Sequence, residues 1–181
     1  MIATTTAPDS RDHRRPSALK IATIGVYGFT GESFLNCLRL AKVDVLLDVR
    51  QRRGVRGPLY AWANAKRLQA ALAQAQIAYA HHLELAPTTV LRHIQYAEDD
   101  RQGVGKRNRQ VLADAYASGY TTEILDRADL APILSILSSG RLAALFCVEC
   151  DPEACHRSLI AQRLAERYAV QIEHLHPQKD G

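Results

Sequence analysis

The sequence lacks the features that mark several protein classes. No apolar run approaches the ~18 residues that a membrane-spanning helix needs, and residues 1–20 contain no apolar segment of the kind found in signal peptides. Cysteine is scarce, with four residues in the chain, and three of these lie between positions 147 and 155. Such clustering does not resemble the distributed framework of a secreted disulfide-rich protein. We therefore expect a cytoplasmic protein with no membrane partner.

The composition predicts one globular domain. The chain has 181 residues, of which 47% are hydrophobic and 23% charged, and a chain of this length commonly builds a single core. We expect a domain over residues 20–176, with flexible tails at 1–19 and 177–181. The formal net charge of +4 is modest, so it permits an anionic small molecule or a nucleic acid as partner without requiring either. The oligomeric state is left open.

Short apolar runs alternate with stretches of helical spacing, which predicts an α/β fold with a mostly parallel sheet of about five strands. The predicted strands cover 20–25, 43–50, 77–83, 141–149 and 169–175. Thr30 is a predicted N-cap for the first helix, and the central strands are too continuously apolar to have a solvated face. Predicted helices follow at 64–76, 89–99, 109–117, 130–137 and 155–168.

Four loops are expected to meet at one edge of this sheet. Parallel strands point the same way, so the segments after Gly25, Val49, His81 and Val148 all leave the sheet at its carboxyl edge. Ligands of open α/β sheets bind at that edge, where the strand order reverses. The segment CVECDPEACHRS, residues 147–158, is then one wall of a cleft.

This segment predicts an anion site at the start of a helix. Pro152 suits a first helical turn and Asp151 an N-cap, which places Cys155, His156 and Arg157 in the opening turns. A helix N-terminus attracts anions, and Arg157 adds charge-assisted hydrogen bonds. The same surroundings lower a thiol pKa, so Cys155 is a candidate nucleophile, or else a small packed residue.

The other cysteines carry weaker hypotheses. Cys147 lies in an apolar strand, where packing is the favoured interpretation. Cys147, Cys150, Cys155 and His156 have the ligand types of a zinc site, but no paired C-x2-C knuckles occur elsewhere in the chain. We therefore predict neither a metal nor a cofactor.

Two carboxylates end buried strands. Glu149 and Asp48 are each expected to be paired or functional, because an unpaired charge is costly at a buried position. Glu149 is interpreted either as a general base or as the partner of an arginine. Asp48 has Arg50 two residues on and on the same face, so a structural pair and a catalytic role both remain open.

Basic residues concentrate on the loops that would flank the cleft. Attraction of phosphate is favoured over a solvated surface for this set. The segment GVYGFTG is not the G-x-G-x-x-G dinucleotide fingerprint, so it is a weak signal for phosphate and none for NAD. The candidate substrate-binding residues from these loops are Gly25, Tyr27, Gly28, Arg50, Arg53, Arg56, Lys106 and Arg107, with Arg52 and Arg109 in the same loops.

The motifs TIGVYGFTGESFL, LLDVRQRRGVRG, HLELAP and LFCVECDPEACHRSLIAQRL together resemble the domain-of-unknown-function 488 family of bacteria and archaea, over about Ile21 to Leu175. The resemblance implies a three-layer, Rossmann-like α/β domain with no firmly established activity. This chain has Val26 where many relatives carry His or Tyr, and Tyr27 is a substitute for that side chain. The family's motif residues are here Gly25, Asp48, Arg50, Glu84, Cys147, Glu149, Cys155, His156 and Arg157.

A second resemblance is to rhodanese-like domains, which carry a similar L-[IV]-D-V-R strand and a cysteine loop that runs into R-S and a helix. Here six residues separate Cys150 from Arg157, and Cys155 lies only two positions before Arg157, so neither matches a cysteine-centred cradle.

Three hypotheses follow. The first is an enzyme with a cationic cleft for a phosphate-bearing or nucleotide-like substrate, with Glu149 or Asp48 for proton transfer or covalent attack and Arg157 with Arg50 on the anion. The second is a rhodanese-like or other thiol-dependent transferase using Cys155. The third is a non-catalytic nucleic-acid-binding module.

Overall fold

A fully parallel five-stranded sheet forms the centre of the computed structural model, which describes residues 18–178. Positions 1–17 and 179–181 lie outside the described residues, and with them most of both predicted tails. The strand order is β3-β2-β4-β1-β5. The strands are β1 (Lys20–Ile24), β2 (Val45–Asp48), β3 (Ala78–His81), β4 (Ala143–Phe146) and β5 (Gln171–Leu175).

Helices cover both faces of the sheet, so the predicted three-layer α/β class is confirmed. One hydrophobic cluster joins α1 and α2 to the sheet, and a second joins the other helices to its opposite face. The helices are α1 (Gly31–Leu40), α2 (Ala65–Gln74), α3 (Thr89–Gln102), α4 (Asp114–Tyr120), α5 (Ala131–Ser138) and α6 (His156–Tyr168).

Strand β4 shows why the central strands contain so few polar residues. Ala143 and Leu145 point into one cluster, while Ala144 and Phe146 point into the other, and all four are buried. Successive side chains of a strand face opposite sides, so a strand covered on both faces must be apolar throughout. The prediction that β2 lies inside the sheet is confirmed in the same way.

Helix α1 begins where the sequence predicts. The Thr30 hydroxyl accepts a hydrogen bond from the Ser33 backbone N–H, and the Ser33 hydroxyl accepts one from the Thr30 backbone N–H. This reciprocal capping box satisfies two N–H groups that would otherwise be unpaired at the helix start.

Two predicted helix starts are wrong. The helix expected from Arg109 begins at Asp114, because Arg109 itself is extended and its side chain reaches back to α3. The helix expected from Pro152 begins at His156. The Ala154 and Cys155 N–H groups donate to the Asp151 and Pro152 carbonyls, which closes a separate 3-10 turn before α6.

The topology opens a crevice between two neighbouring strands. From β2 the chain continues to β3 on one side, whereas from β4 it continues through α6 to β5 beyond β1 on the other side. The loops after β2 and β4 therefore diverge at the carboxyl edge of the sheet, which is where open α/β sheets bind ligands.

No helix within residues 18–178 combines the length and the apolar character that crossing a membrane requires.

Gly25 fixes how closely the chain segments after β1 and β4 approach each other. A Cβ atom placed on Gly25 would lie 1.8 Å from the carbonyl oxygen of Glu149. Real side chains do not tolerate such a distance to a backbone atom, so the two segments pack this closely only because position 25 has no side chain.

We expect Gly25→Ala to lower the free energy of unfolding by about 2 to 4 kcal/mol, because the added methyl group must force the two backbone segments apart. Urea denaturation followed by circular dichroism measures the change. Gly105→Ala is the matched control, since a Cβ at Gly105 meets nothing within 4 Å. Equal stability of the two variants would contradict the close packing at Gly25.

Candidate functional site

A cleft of about 430 Å³ lies over the carboxyl ends of β2 and β4. Its walls are the loop after β2, one face of α3, the segment that joins α3 to α4, and the loop between β4 and α6, with Tyr27 from the loop after β1. The loops after β1, β2 and β4 are three of the four loops whose convergence the sequence predicts. From the segment that follows the fourth loop, after β3, only Pro87 lines the cleft.

Basic side chains dominate the cleft lining. Glu149 is the single carboxylate among the lining residues, all of which belong to the described part of the chain. Arg52, Arg56 and Arg107 are exposed at the rim, and no carboxylate from residues 18–178 lies within ion-pair distance of them. The basic lining residues are Arg50, Arg52, Arg56, Arg92, Lys106, Arg107 and Arg109.

Four reactive side chains form the floor of the cleft. Cys147 and Glu149 come from the end of β4, and Cys155 and His156 from the start of α6. All four are buried, with Glu149 7% exposed. The carbonyl of Val49, after β2, lies 3.0 Å from His156 Nε2, which fixes Nε2 as the protonated nitrogen and leaves Nδ1 facing the two thiols.

Glu149 is held by two cations of the cleft. Its Oε1 atom lies 3.4 Å from Arg109 Nη1 and 3.7 Å from Lys106 Nζ, and its Oε2 atom lies 3.5 Å from Cys147 Sγ. Burial raises the pKa of the Glu149 carboxyl above its usual value, and the charge of Cys155 adds to this, although Lys106 and Arg109 act in the opposite direction. The expectation that Glu149 is paired with a cation is met, but the partner is not Arg157.

A polar face of α3 carries the network behind Arg109, and the sequence analysis missed it. Arg109 Nε and Gln95 Nε2 each donate to Asp99 Oδ1 over 2.9 Å, and Gln95 Oε1 accepts from the Ala113 N–H before α4. Burial raises the pKa of Asp99, but hydrogen bonds from Arg109 and Gln95 prevail and lower it. Arg92, Gln95, Tyr96 and Asp99 recur at helical spacing, which is the signal that one face of α3 is polar and inward.

Asp48 and Arg50 form a buried structural pair. Arg50 Nε and Nη2 donate to the two carboxylate oxygens over 2.8 and 2.7 Å, and Arg50 Nη1 donates to the Ala63 carbonyl. Tyr79 Oη donates to Asp48 Oδ2 over 2.7 Å, and the Arg50 guanidinium stacks on Phe146. All three guanidinium nitrogens of Arg50 and both carboxylate oxygens of Asp48 are therefore bound within the protein, and Asp48 does not line the cleft.

Arg157 lies behind the floor and not in the cleft. Its guanidinium is 1% exposed, and Nη1 and Nη2 donate to the Glu149 and Cys150 carbonyls, each over 2.7 Å. Nε points to Thr23 Oγ1 at 3.5 Å. The forked contact that the sequence analysis assigns to an anion is made with the protein backbone.

The remaining predicted binding residues also lie outside the cleft lining. Gly25 packs against Glu149, and Gly28 adopts a positive φ of 88° in the turn after β1. The Arg53 side chain hydrogen-bonds Tyr79. Glu84 is largely exposed and accepts from His82 over 2.6 Å. Of the predicted site residues, the structure does bring together Tyr27, Arg50, Arg56, Lys106, Arg107, Glu149, Cys155 and His156 at the cleft.

Cys155 differs from the other cysteines in its charge state. Burial raises the pKa of its thiol, but the hydrogen bond from Cys147 and the positive charges of Arg157 and His156 outweigh burial and hold the pKa well below its ordinary value. Burial raises the pKa of Cys147 and of Cys37. Cys155 is therefore the more acidic of the two thiols of the cleft floor.

The fold and the site define a parallel α/β protein with a cationic cleft at the carboxyl edge of its sheet. The chain belongs to the family described as domain of unknown function DUF488, whose model matches residues 30–164. The resemblance drawn from the sequence motifs is thereby confirmed. No curated protein and no solved structure matches the chain.

Because Arg157 holds two backbone carbonyls, we expect Arg157→Lys to lower the free energy of unfolding by about 2 to 4 kcal/mol. A lysine retains the charge but makes no forked contact, so one buried carbonyl loses its donor. Chemical denaturation measures the effect, and Arg167→Lys on the exposed end of α6 is the control. A variant as stable as the wild type would contradict the structural role.

The low pKa of Cys155 predicts a distinct alkylation profile in reduced, chelator-treated protein. Because the pKa of Cys155 lies well below its ordinary value and that of Cys37 above it, the Cys155 rate with iodoacetamide should rise much less steeply from about pH 7 to 9 than the Cys37 rate, which should rise roughly tenfold per pH unit. Mass spectrometry over a time course resolves the sites. A Cys155 rate that rises in parallel with that of Cys37 would contradict the assignment.

Proposed function

We propose that this protein is an enzyme that binds a phosphate-bearing, nucleotide-like substrate in the cationic cleft and uses Glu149 to transfer a proton. The observation that carries the proposal is the charge of the lining, in which Glu149 is the single carboxylate among seven basic residues. A cleft of about 430 Å³ is in the range of small-molecule sites, and concentrated positive charge in a concave site attracts anions.

The geometry divides the basic residues into two groups. Arg109 and Lys106 contact Glu149 and keep its carboxylate at the floor. Arg52, Arg56 and Arg107 are exposed at the rim and are free to make forked contacts with phosphate oxygens. Asp48, Arg50 and Arg157, once candidates for catalysis or anion binding, serve the fold in this proposal.

Aromatic rings at the rim favour a nucleotide over a bare phosphate ester. Tyr27 and Tyr60 lie 5.1 Å apart between ring centroids, and the Arg107 guanidinium stands over both. Tyr96, beneath Arg92, lines the opposite wall. Bases stack on tyrosine rings and on guanidinium planes, so Tyr27, Tyr96 and Arg107, which line the cleft, supply a surface for the base beside the charges for the phosphate.

Thiol-dependent group transfer by Cys155 is a second candidate, and its position on the cleft floor favours it. Both candidates suit the reducing cytoplasm, because Cys37, Cys147, Cys150 and Cys155 are all free thiols.

Calorimetric titration of nucleoside 5′-phosphates and the matching nucleosides tests the first candidate. We expect the phosphates to bind and Arg56→Ala or Arg107→Ala to weaken them about tenfold, or about 1.4 kcal/mol, with little effect on the nucleosides. Arg167→Ala, which removes a charge outside the cleft lining, should bind like the wild type.

Glu149→Gln separates binding from chemistry. With any phosphorylated compound that phosphorus NMR shows to be converted, the amide should keep the affinity and reduce turnover by about 10²- to 10⁴-fold. Binding of long oligonucleotides but not of mononucleotides, with steep loss in salt, would instead indicate the nucleic-acid-binding module. Failure of every phosphorylated compound to bind would overturn the proposal.

A further inference from the structure

The floor of the cleft contains three metal-ligand side chains whose donor atoms converge. The Cys147 and Cys155 sulfurs and a ring nitrogen of His156 all lie within 4.8 Å of one another. His156 Nδ1 is 3.8 Å from Cys147 Sγ and 3.9 Å from Cys155 Sγ. We call these three residues the Cys2His cluster.

The two nitrogen–sulfur distances are close to those between ligands of one tetrahedral ion. Zinc bonds of about 2.3 Å to sulfur and about 2.0 Å to nitrogen place neighbouring ligand atoms roughly 3.5 to 3.8 Å apart. Hydrogen bonding alone accounts poorly for the arrangement, because Nδ1 offers a single hydrogen-bonding site in either charge state of the ring and here faces two sulfurs at nearly equal distance. An ion between the three atoms would bond all of them.

The surroundings of His156 match those of a metal ligand. Its Nε2–H group donates to the Val49 carbonyl over 3.0 Å, which orients the ring and presents the Nδ1 lone pair to the two thiols. Histidines that bind metals almost always donate their second ring N–H to a carbonyl or carboxylate in this manner. Two thiolates and a divalent ion also leave no net charge in a buried site, which lowers the cost of burying the thiolates.

We infer that the Cys2His cluster binds one zinc-like divalent ion with three protein ligands and a fourth position facing the cleft. Cys150, which would complete a closed four-ligand site, lies elsewhere, near Gly28, and its carbonyl is held by Arg157. Three protein ligands with an open position are typical of catalytic zinc, whereas structural zinc has four. From the sequence no metal is predicted, because Cys147 has the pattern of a buried strand residue and no paired C-x2-C knuckles occur elsewhere in the chain.

The ion would supply chemistry to the proposed enzyme. A catalytic zinc-like ion would acidify a water molecule, and Glu149 would take the proton of that water as its oxygen bonds to phosphorus. The ester P–O bond would break in the same displacement, and Glu149 would return the proton to the leaving oxygen. Glu149 is next to the cluster, with Oε2 3.5 Å from Cys147 Sγ. This role of the ion rests on the proposed function, whereas binding of the ion does not.

Titration of Co²⁺ alone into chelator-treated, fully reduced protein tests the inference. We expect one Co²⁺ per chain, with a thiolate-to-cobalt charge-transfer band and the intense visible bands of tetrahedral coordination, both abolished by an equivalent of Zn²⁺. Cys147→Ser and Cys155→Ser should weaken binding by more than about 100-fold. Cys150→Ser, in the same segment, is the matched control and should bind like the wild type.

Two further measurements guard against misfolded variants and against the thiol-transfer alternative. Zn²⁺ should raise the melting temperature of the wild type and Cys150→Ser but not of Cys155→Ser, whose metal-free melting should remain cooperative. Zn²⁺ should also protect Cys147 and Cys155, but not Cys37, from iodoacetamide. If Zn²⁺ protects Cys147 and Cys155 but no nucleoside phosphate binds, the phosphate-binding proposal for the cleft is refuted and the inferred metal site stands.

The inference is overturned if the reduced wild type binds no Co²⁺, if its complex lacks the charge-transfer band, or if Cys150→Ser loses binding as Cys155→Ser does. Unchanged alkylation of Cys155 at saturating Zn²⁺ would also overturn it and leave Cys155 as a free nucleophile.

Discussion

Two hydrogen bonds from Arg157 to the backbone after β4 determine the geometry of the whole cleft floor. The two terminal nitrogens of Arg157 hold the Glu149 and Cys150 carbonyls, and Gly25 allows the segment after β1 to press against the same peptide. The loop that leaves β4 is therefore fixed at its first residues. Cys147 precedes the fixed peptide, Glu149 is part of it, and Cys155 and His156 return to it at the start of α6. The four side chains therefore meet although seven residues separate Cys147 from Cys155.

The cleft above this floor combines charge with rigidity. Two buried arginines of the lining connect different elements. Arg109 joins α3 to the loop after β4 through Asp99 and Glu149, and Arg50 pairs with Asp48 at the end of β2 and donates to the Ala63 carbonyl in the turn before α2. Breaking such a pair leaves an uncompensated buried charge, so these contacts position the walls firmly even where their net contribution to stability is small. The rim arginines, by contrast, make no such pair within the described residues and are available to a ligand.

The strands, most helices and the edge of the sheet that carries the site were predictable because they depend on local pattern: apolar runs, helical spacing and the common direction of parallel strands. Contacts between distant segments were not. Arg157 lies in the first turn of α6, where an anion-binding residue is expected, yet its guanidinium donates to the Glu149 carbonyl. Cys147 has the pattern of a core residue, yet its sulfur reaches His156. The inward polar face of α3 depends on the pairing of Gln95 with Asp99. In the sequence, only the helical spacing of these two residues indicates that pairing.

Trp62, the only tryptophan of the chain, lies in the turn Pro58–Ala63 behind the wall of the cleft. Its indole packs on Phe34, with 4.8 Å between ring centroids, and its Nε1–H is buried with no partner in the described residues. Ala63, the next residue, accepts a hydrogen bond from Arg50. The tryptophan fluorescence of the protein therefore originates from one site, which is linked to the loop after β2 through the hydrogen bond between Ala63 and Arg50. It gives a label-free optical signal for any displacement of that wall.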